Sequence, residues 1–125
     1  MKVSDPLPLI EKQIDMVDLV AYGAATWDWH PLHYDSARSS KVGGGAPIVD
    51  GQMFGALLAN QVIGWLGPNA FITNMSIKYK SMVVAGDRVS IEGTVTKMDG
   101  DVIEVSQVVR NGDRVAVEAT TRVRI

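Results

Sequence analysis

Three short polar triplets, Ala85-Gly86-Asp87, Asp99-Gly100-Asp101 and Asn111-Gly112-Asp113, divide the second half of this chain into four stretches of strand composition. These stretches are Ala70 to Val84, Asp87 to Met98, Val102 to Arg110 and Arg114 to Ile125. Each triplet carries the residues a tight turn demands, so the pattern predicts three consecutive hairpins in an antiparallel meander. Alternation is cleanest in the last stretch. Val115, Val117, Ala119, Thr121, Val123 and Ile125 fall on one side, and Arg114, Ala116, Glu118, Thr120, Arg122 and Arg124 on the other. One face of the sheet must therefore be covered by something apolar.

The cover lies just upstream. From Gly51 to Leu66, the residues Met53, Leu57, Leu58, Val62, Ile63 and Leu66 recur at helical spacing before Gly67-Pro68 ends the run, predicting a helix that is apolar on most faces and buried. A curved antiparallel sheet wrapped around that helix is an α+β hot-dog fold, and 125 residues suffice for one such domain spanning 1–125. Ahead of it, Pro8 to Ile14 reads as an edge strand and Asp15 to Thr26 as a short helix behind an acidic start. Tyr34 to Ser40 reads as a further helical turn, and Lys41 to Pro47, with Gly43, Gly44 and Gly45, as a loop.

Composition narrows the function classes. A net charge of -2 with acids and bases interspersed offers no basic stripe for a nucleic-acid backbone. The absence of cysteine removes disulfides, thiolate nucleophiles and cysteine-based metal sites, and fits a cytosolic setting. No apolar run reaches the length of a membrane span, and the N-terminus has no apolar core segment, so a soluble, unprocessed, cytoplasmic protein is expected.

Chemistry concentrates in Trp27-Asp28-Trp29-His30-Pro31-Leu32-His33-Tyr34-Asp35, which holds both histidines of the chain. Histidine exchanges protons near neutral pH, and Pro31 biases His30 towards an extended conformation, so the segment should turn and bring Asp28 and His33 towards one point. Alone, Asp28 is as readily a helix or turn cap as a catalyst, and a lone histidine is more often structural. The five-residue spacing across Pro31 favours catalysis for both. His30 reads as a hydrogen-bond donor towards substrate rather than a catalyst. A metal is not expected, since His-x-x-His in a proline-containing turn fits no standard zinc arrangement. Asp35 should start the following helix and Asp50 should cap the helix at Gly51. Trp27 and Trp29 are placed to desolvate Asp28 and raise its pKa. Met53, Met75 and Trp65 read as core.

The segment from Tyr22 to Asp35, followed by Ala46-Pro47-Ile48-Val49-Asp50-Gly51, resembles the MaoC-like hydratase/dehydratase family, which includes R-specific enoyl-CoA hydratases. That signature runs approximately Asp-x-Asn-Pro-(Leu/Ile)-His-x-Asp, then Pro-Ile-Val/Ala-His-Gly. The likeness covers essentially the whole chain, with two departures: His30 replaces the usual Asn and Asp50 the usual His. It implies that Asp28 and His33 form a catalytic pair binding one water, which adds reversibly and syn across a trans-2-enoyl thioester to give the (R)-3-hydroxyacyl product. A donor to the thioester oxygen is needed, and the free N–H of Gly51 at the helix start suits it, where a glycine also permits close approach.

No cofactor is implied, coenzyme A being part of the substrate. Lys78, Lys80, Arg88 or Arg110 are candidates for its phosphates. The exposed sheet edge expected of a single unit implies a homodimer or higher homo-oligomer, or a heteromer with a second MaoC-like chain. Two alternatives stand beside the homomeric hydratase. One is the catalytic half of a heteromeric hydratase acting on bulky substrates such as steroid side-chain enoyl-CoA. The other is a hot-dog thioesterase, disfavoured because those enzymes typically place an acid on or near the central helix and lack this turn.

Overall fold

A computed structural model of the protein describes residues 1–30, 33–35 and 46–125. Five strands, β1 (Ile10–Gln13), β2 (Phe71–Tyr79), β3 (Arg88–Asp99), β4 (Val102–Asn111) and β5 (Arg114–Arg124), form one antiparallel sheet in the order β1-β3-β4-β5-β2. Two helices accompany them, α1 (Met16–Thr26) and α2 (Gly51–Leu66). This is the expected hot-dog architecture, and α2 has the predicted bounds. The Pro31 turn in part, the helical turn beyond Asp35 and the triple-glycine loop lie outside the described residues.

The meander is shorter than the turn signals implied. β3–β4 and β4–β5 are hairpins closed by two-residue loops that open with Gly100 and Gly112, at φ 60° and 62°. Ala85-Gly86-Asp87 does not close a third. Instead β2 pairs with β5, Ile77 opposite Ala119, while β1 occupies the β3 edge, Ile10 opposite Ile91. Residues 80–87 carry the chain between the two edges, held by Lys80 and Ser81 N–H on Ala116 O, Val49 N–H on Val83 O, Ala85 N–H on Pro47 O and Gly86 N–H on Ile14 O. Strand composition specifies a strand without naming its neighbour, and the covering helix is buried best when its following strand closes the far side.

Two faces also depart from simple alternation. In β5 the register shifts where Val109 faces Val117 and Arg110 faces Val115, so Ala116 is the extra residue of a bulge and is buried rather than outward. Ile125, beyond the strand end, is exposed instead of inward. Helix α2 buries Met53, Phe54, Leu58, Gln61 and Val62 against the sheet, while Gln52, Ala56, Asn60 and Gly64 leave a narrow exposed stripe. Met53 is core as expected, whereas Met75 and Trp65 only line its edge. Among the described residues, no helix is long and apolar enough to cross a membrane.

Candidate active site

Asp15 caps the start of α1 in a reciprocal capping box with Asp18, and Trp27 ends the helix in the left-handed region at φ 58°. That sharp turn folds Asp28 back, its N–H donating to Gly23 O at 3.0 Å. Gly23 makes the return possible: a Cβ there would sit 3.0 Å from Asp28 O and 3.5 Å from the Trp29 ring. The Asp28 carboxylate then accepts the His30 N–H at 3.3 Å, while His33 N–H donates to His30 O at 3.0 Å. The predicted turn is therefore built from local hydrogen bonds across the segment that contains Pro31.

Asp28 and His33 do converge, and a third side chain joins them. Asp28, His33 and Asp50 each bring one donor atom within 4.8 Å of the other two. His33 Nδ1 lies 2.7 Å from Ile48 O, which as acceptor requires Nδ1–H and leaves Nε2 of a neutral imidazole as an acceptor. Asp50 caps α2 as predicted, accepting the Gln52 N–H at 3.0 Å, and its carboxyl lies within 4.8 Å of that of Asp28. His30 is exposed; its ring is tilted against His33 at 5.8 Å, outside the trio. Two carboxylates and an imidazole form the minimum donor set for a divalent cation, and equally the set for a water and a shared proton.

The electrostatics reverse one expectation. Trp27 is 80% exposed and Trp29 42%, stacked edge-to-face on each other rather than over Asp28, so they do not desolvate it. The Asp28 carboxyl is instead held below its ordinary value, chiefly by the hydrogen bond from Asp50 and then by the His30 N–H. The carboxyl that burial pushes up is Asp50, with its bond to Asp28 adding to the rise. Two phenols face this pair. Burial and the charge of Asp50 raise both Tyr22 and Tyr79. Neither tyrosine was singled out in the sequence, since each reaches the site only through tertiary packing.

Tyr79 donates its hydroxyl to Gly51 O at 3.0 Å and lays its ring along the glycine, so a Cβ at Gly51 would meet ring carbons at 3.0 and 3.2 Å. The close approach that Gly51 permits is thus filled here by Tyr79. Beside them opens a groove of about 270 Å³, lined in part by Ile48, Phe54, Tyr79, Lys80 and Met82. Of the four candidate phosphate-binding cations, only Lys80 borders this groove, and it also lies 3.9 Å from Glu118. Arg88 pairs with Glu11 and Arg110 with Glu92, while Lys78 lines a separate depression on the outer sheet face.

A family model described as the MaoC like domain matches residues 3–119. The chain is 28% identical to an (R)-specific enoyl-CoA hydratase of Aeromonas caviae over 93 residues, 74% of this chain and 69% of that protein. It is also 28% identical over 120 residues to a 3-oxo-4,17-pregnadiene-20-carboxyl-CoA hydratase beta subunit of Mycobacterium tuberculosis, covering 94% and 93% of the two chains. The crystal structure of the ChsH1-ChsH2 complex from Mycobacterium tuberculosis contains a chain that superposes with a TM-score of 0.95 at 27% identity, covering 99% of this chain and 98% of that one.

Proposed function

The chain belongs to the MaoC-like domain family, and from that membership we propose that it catalyses reversible syn hydration of trans-2-enoyl-CoA thioesters to (R)-3-hydroxyacyl-CoA. The observation that carries this reading is the convergence of Asp28 and His33 beside the N-terminus of α2. With Asp28 ionised and His33 a neutral imidazole, both groups are acceptors, so one water donates a hydrogen to each and turns a lone pair outward. Attack of that lone pair on C3 forms the C–O bond. The pair takes up a proton from the water and delivers one to C2 on the same face, so that water is added overall.

Negative charge develops on the thioester oxygen as C3 is attacked. The Gly51 N–H, at the first position of α2 and so without an intrahelical acceptor, supplies the donor at the positive end of the helix. Replacing Gly51 with alanine should displace Tyr79 and lower kcat/KM about tenfold or more, with little change in fold. Steady-state kinetics with a circular-dichroism control would check this, and undiminished kcat/KM would show that the close Tyr79 packing on Gly51 is not needed for its N–H to act.

A second reading is favoured by the near full-length match to a hydratase beta subunit. The chain would then be the catalytic half of a two-chain enzyme for bulky acyl groups. The exposed edge strand β2, with Phe71 59% and Tyr79 56% exposed, suits pairing with a second unit of either kind. Loss of enoyl-thioester absorbance, measured with crotonyl-CoA and then a cyclic enoyl-CoA, tests both readings. Turnover by the purified chain alone supports the homomeric enzyme. Turnover only with a co-purified second MaoC-like chain supports the heteromer, and release of free thiol without hydration would replace both with a thioesterase.

A further inference from the structure

We propose that Asp50 is a positioning residue of this site, its protonated carboxyl donating a hydrogen bond to the Asp28 carboxylate so that the two groups hold one proton between them and act as a unit. The proposal rests on the reading of Asp28 as half of the water-binding pair.

The geometry makes a helix cap alone an insufficient account of Asp50. Asp50 is only 8% exposed, and Oδ1 is already committed to the Gln52 N–H. The carboxyl also brings an oxygen within 4.8 Å of the Asp28 carboxylate and of His33, and two carboxyls this close, one of them buried, are relieved of like-charge repulsion by one proton held between them. The groups facing Asp50 come from every neighbouring element: Asp28 after α1, Tyr22 on α1, His33 in the turn, Tyr79 on β2 and its own helix through Gln52. Burial places the proton on Asp50, since Asp28 already accepts the His30 N–H and lies in the less enclosed position. A carboxylic acid thus occupies the position where the resembling signature carries an imidazole.

The consequence is a defined orientation for Asp28. With its charge fixed by donors from Asp50 and His30, the carboxylate presents its remaining lone pairs towards the water shared with His33. Raising the pH through the upper step of the pair removes the Asp50 proton, sets two like charges side by side and breaks this arrangement. The sign follows for stability. Asp50, raised in the fold, stabilises while protonated and loses that contribution as pH rises through its folded value. Asp28, lowered in the fold, contributes above its unfolded value and loses that contribution as pH falls.

Carboxyl ¹³C NMR of aspartate-labelled full-length protein tests the pair directly, with Asp28→Asn and Asp50→Asn used to assign the signals. The expected result is a two-step titration seen by both carboxyls, one step above and one below the ordinary value of about 3.9. Asp50→Asn should leave Asp28 with a single step. Two independent titrations near the ordinary value would overturn the proposal.

Kinetics supply the second arm. Asp50→Ser can still cap α2 but is too short to reach Asp28, and it should lower kcat about tenfold while the melting temperature holds. Asp50→Asn keeps both a cap and an N–H donor, and should remove the alkaline fall in kcat/KM. Unaltered kinetics and pH profiles in both variants would count against the proposal. The NMR result is independent of any reaction. A coupled titration in a protein that hydrates nothing, alone or with a second MaoC-like chain, would sink the proposed function and leave the pair, whereas an active enzyme with uncoupled carboxyls would do the reverse.

Discussion

Asp28→Asn should lower kcat for enoyl-thioester hydration by about 10³-fold and leave KM within a few-fold, because it removes a charge without removing bulk. Asparagine can still accept the His30 N–H through its amide oxygen, so the turn that ends α1 should persist. What it lacks is a carboxylate to share the water with His33. His33→Ala should cost a similar factor by a different route, deleting the Nε2 acceptor that the Nδ1 bond to Ile48 O holds in place. Because both side chains act on one water, the double variant should be scarcely worse than either single one. Steady-state kinetics on the three proteins, each checked for native circular dichroism, gives the answer. Factors that multiplied in the double variant would mean that the two residues act at separate steps. Activity in Asp28→Asn within fivefold of wild type would remove the carboxylate from the chemistry.

The features that make this prediction possible were unequally visible in the sequence. Asp28 and His33 could be paired from their spacing because a turn of a few residues brings them together locally, and the bounds of α2 were written in its apolar spacing and its Gly67-Pro68 stop. Asp50 was legible as a cap, which depends only on its place before Gly51. Its approach to Asp28 was not, because the two residues, remote in sequence, meet only through tertiary folding. The same holds for Tyr22 and Tyr79, which arrive from a helix and a strand remote in sequence. The expectation that Trp27 and Trp29 would shield Asp28 failed because adjacency along the chain does not fix where a ring points once Trp27 enters the left-handed region. The exchange of the third hairpin for a β2–β5 pairing has a related cause: a turn signal describes the chain's bend and leaves strand partners to tertiary packing.

Gln107→Leu should destabilise the protein by about 3 kcal/mol, a fall in melting temperature on the order of 10 °C for a domain of this size. Gln107 is wholly buried on β4, where an apolar residue would ordinarily be expected, and its amide ties sheet to helix. Nε2 donates to Leu58 O at 3.0 Å and to Gln61 Oε1 at 2.8 Å, while Oε1 accepts the Thr121 hydroxyl at 2.7 Å. Gln61 extends the chain of bonds, donating to Pro8 O and Ile91 O at 2.9 Å each. The two amides together therefore connect the N-terminal segment, α2, β3, β4 and β5. Leucine has nearly the same volume, so little of its cost would come from a cavity; the cost comes from stranding the Gln61 oxygen and the Thr121 hydroxyl in a dry interior. Adding Thr121→Val should then cost less than its effect in the wild-type background, because the hydroxyl it removes has already lost its acceptor. Urea unfolding of the four proteins measures that coupling directly. Strict additivity would show that Thr121 and Gln107 contribute separately, and no loss in Gln107→Leu would show that the network is dispensable for holding α2, and with it Asp50 and Gly51, against the sheet.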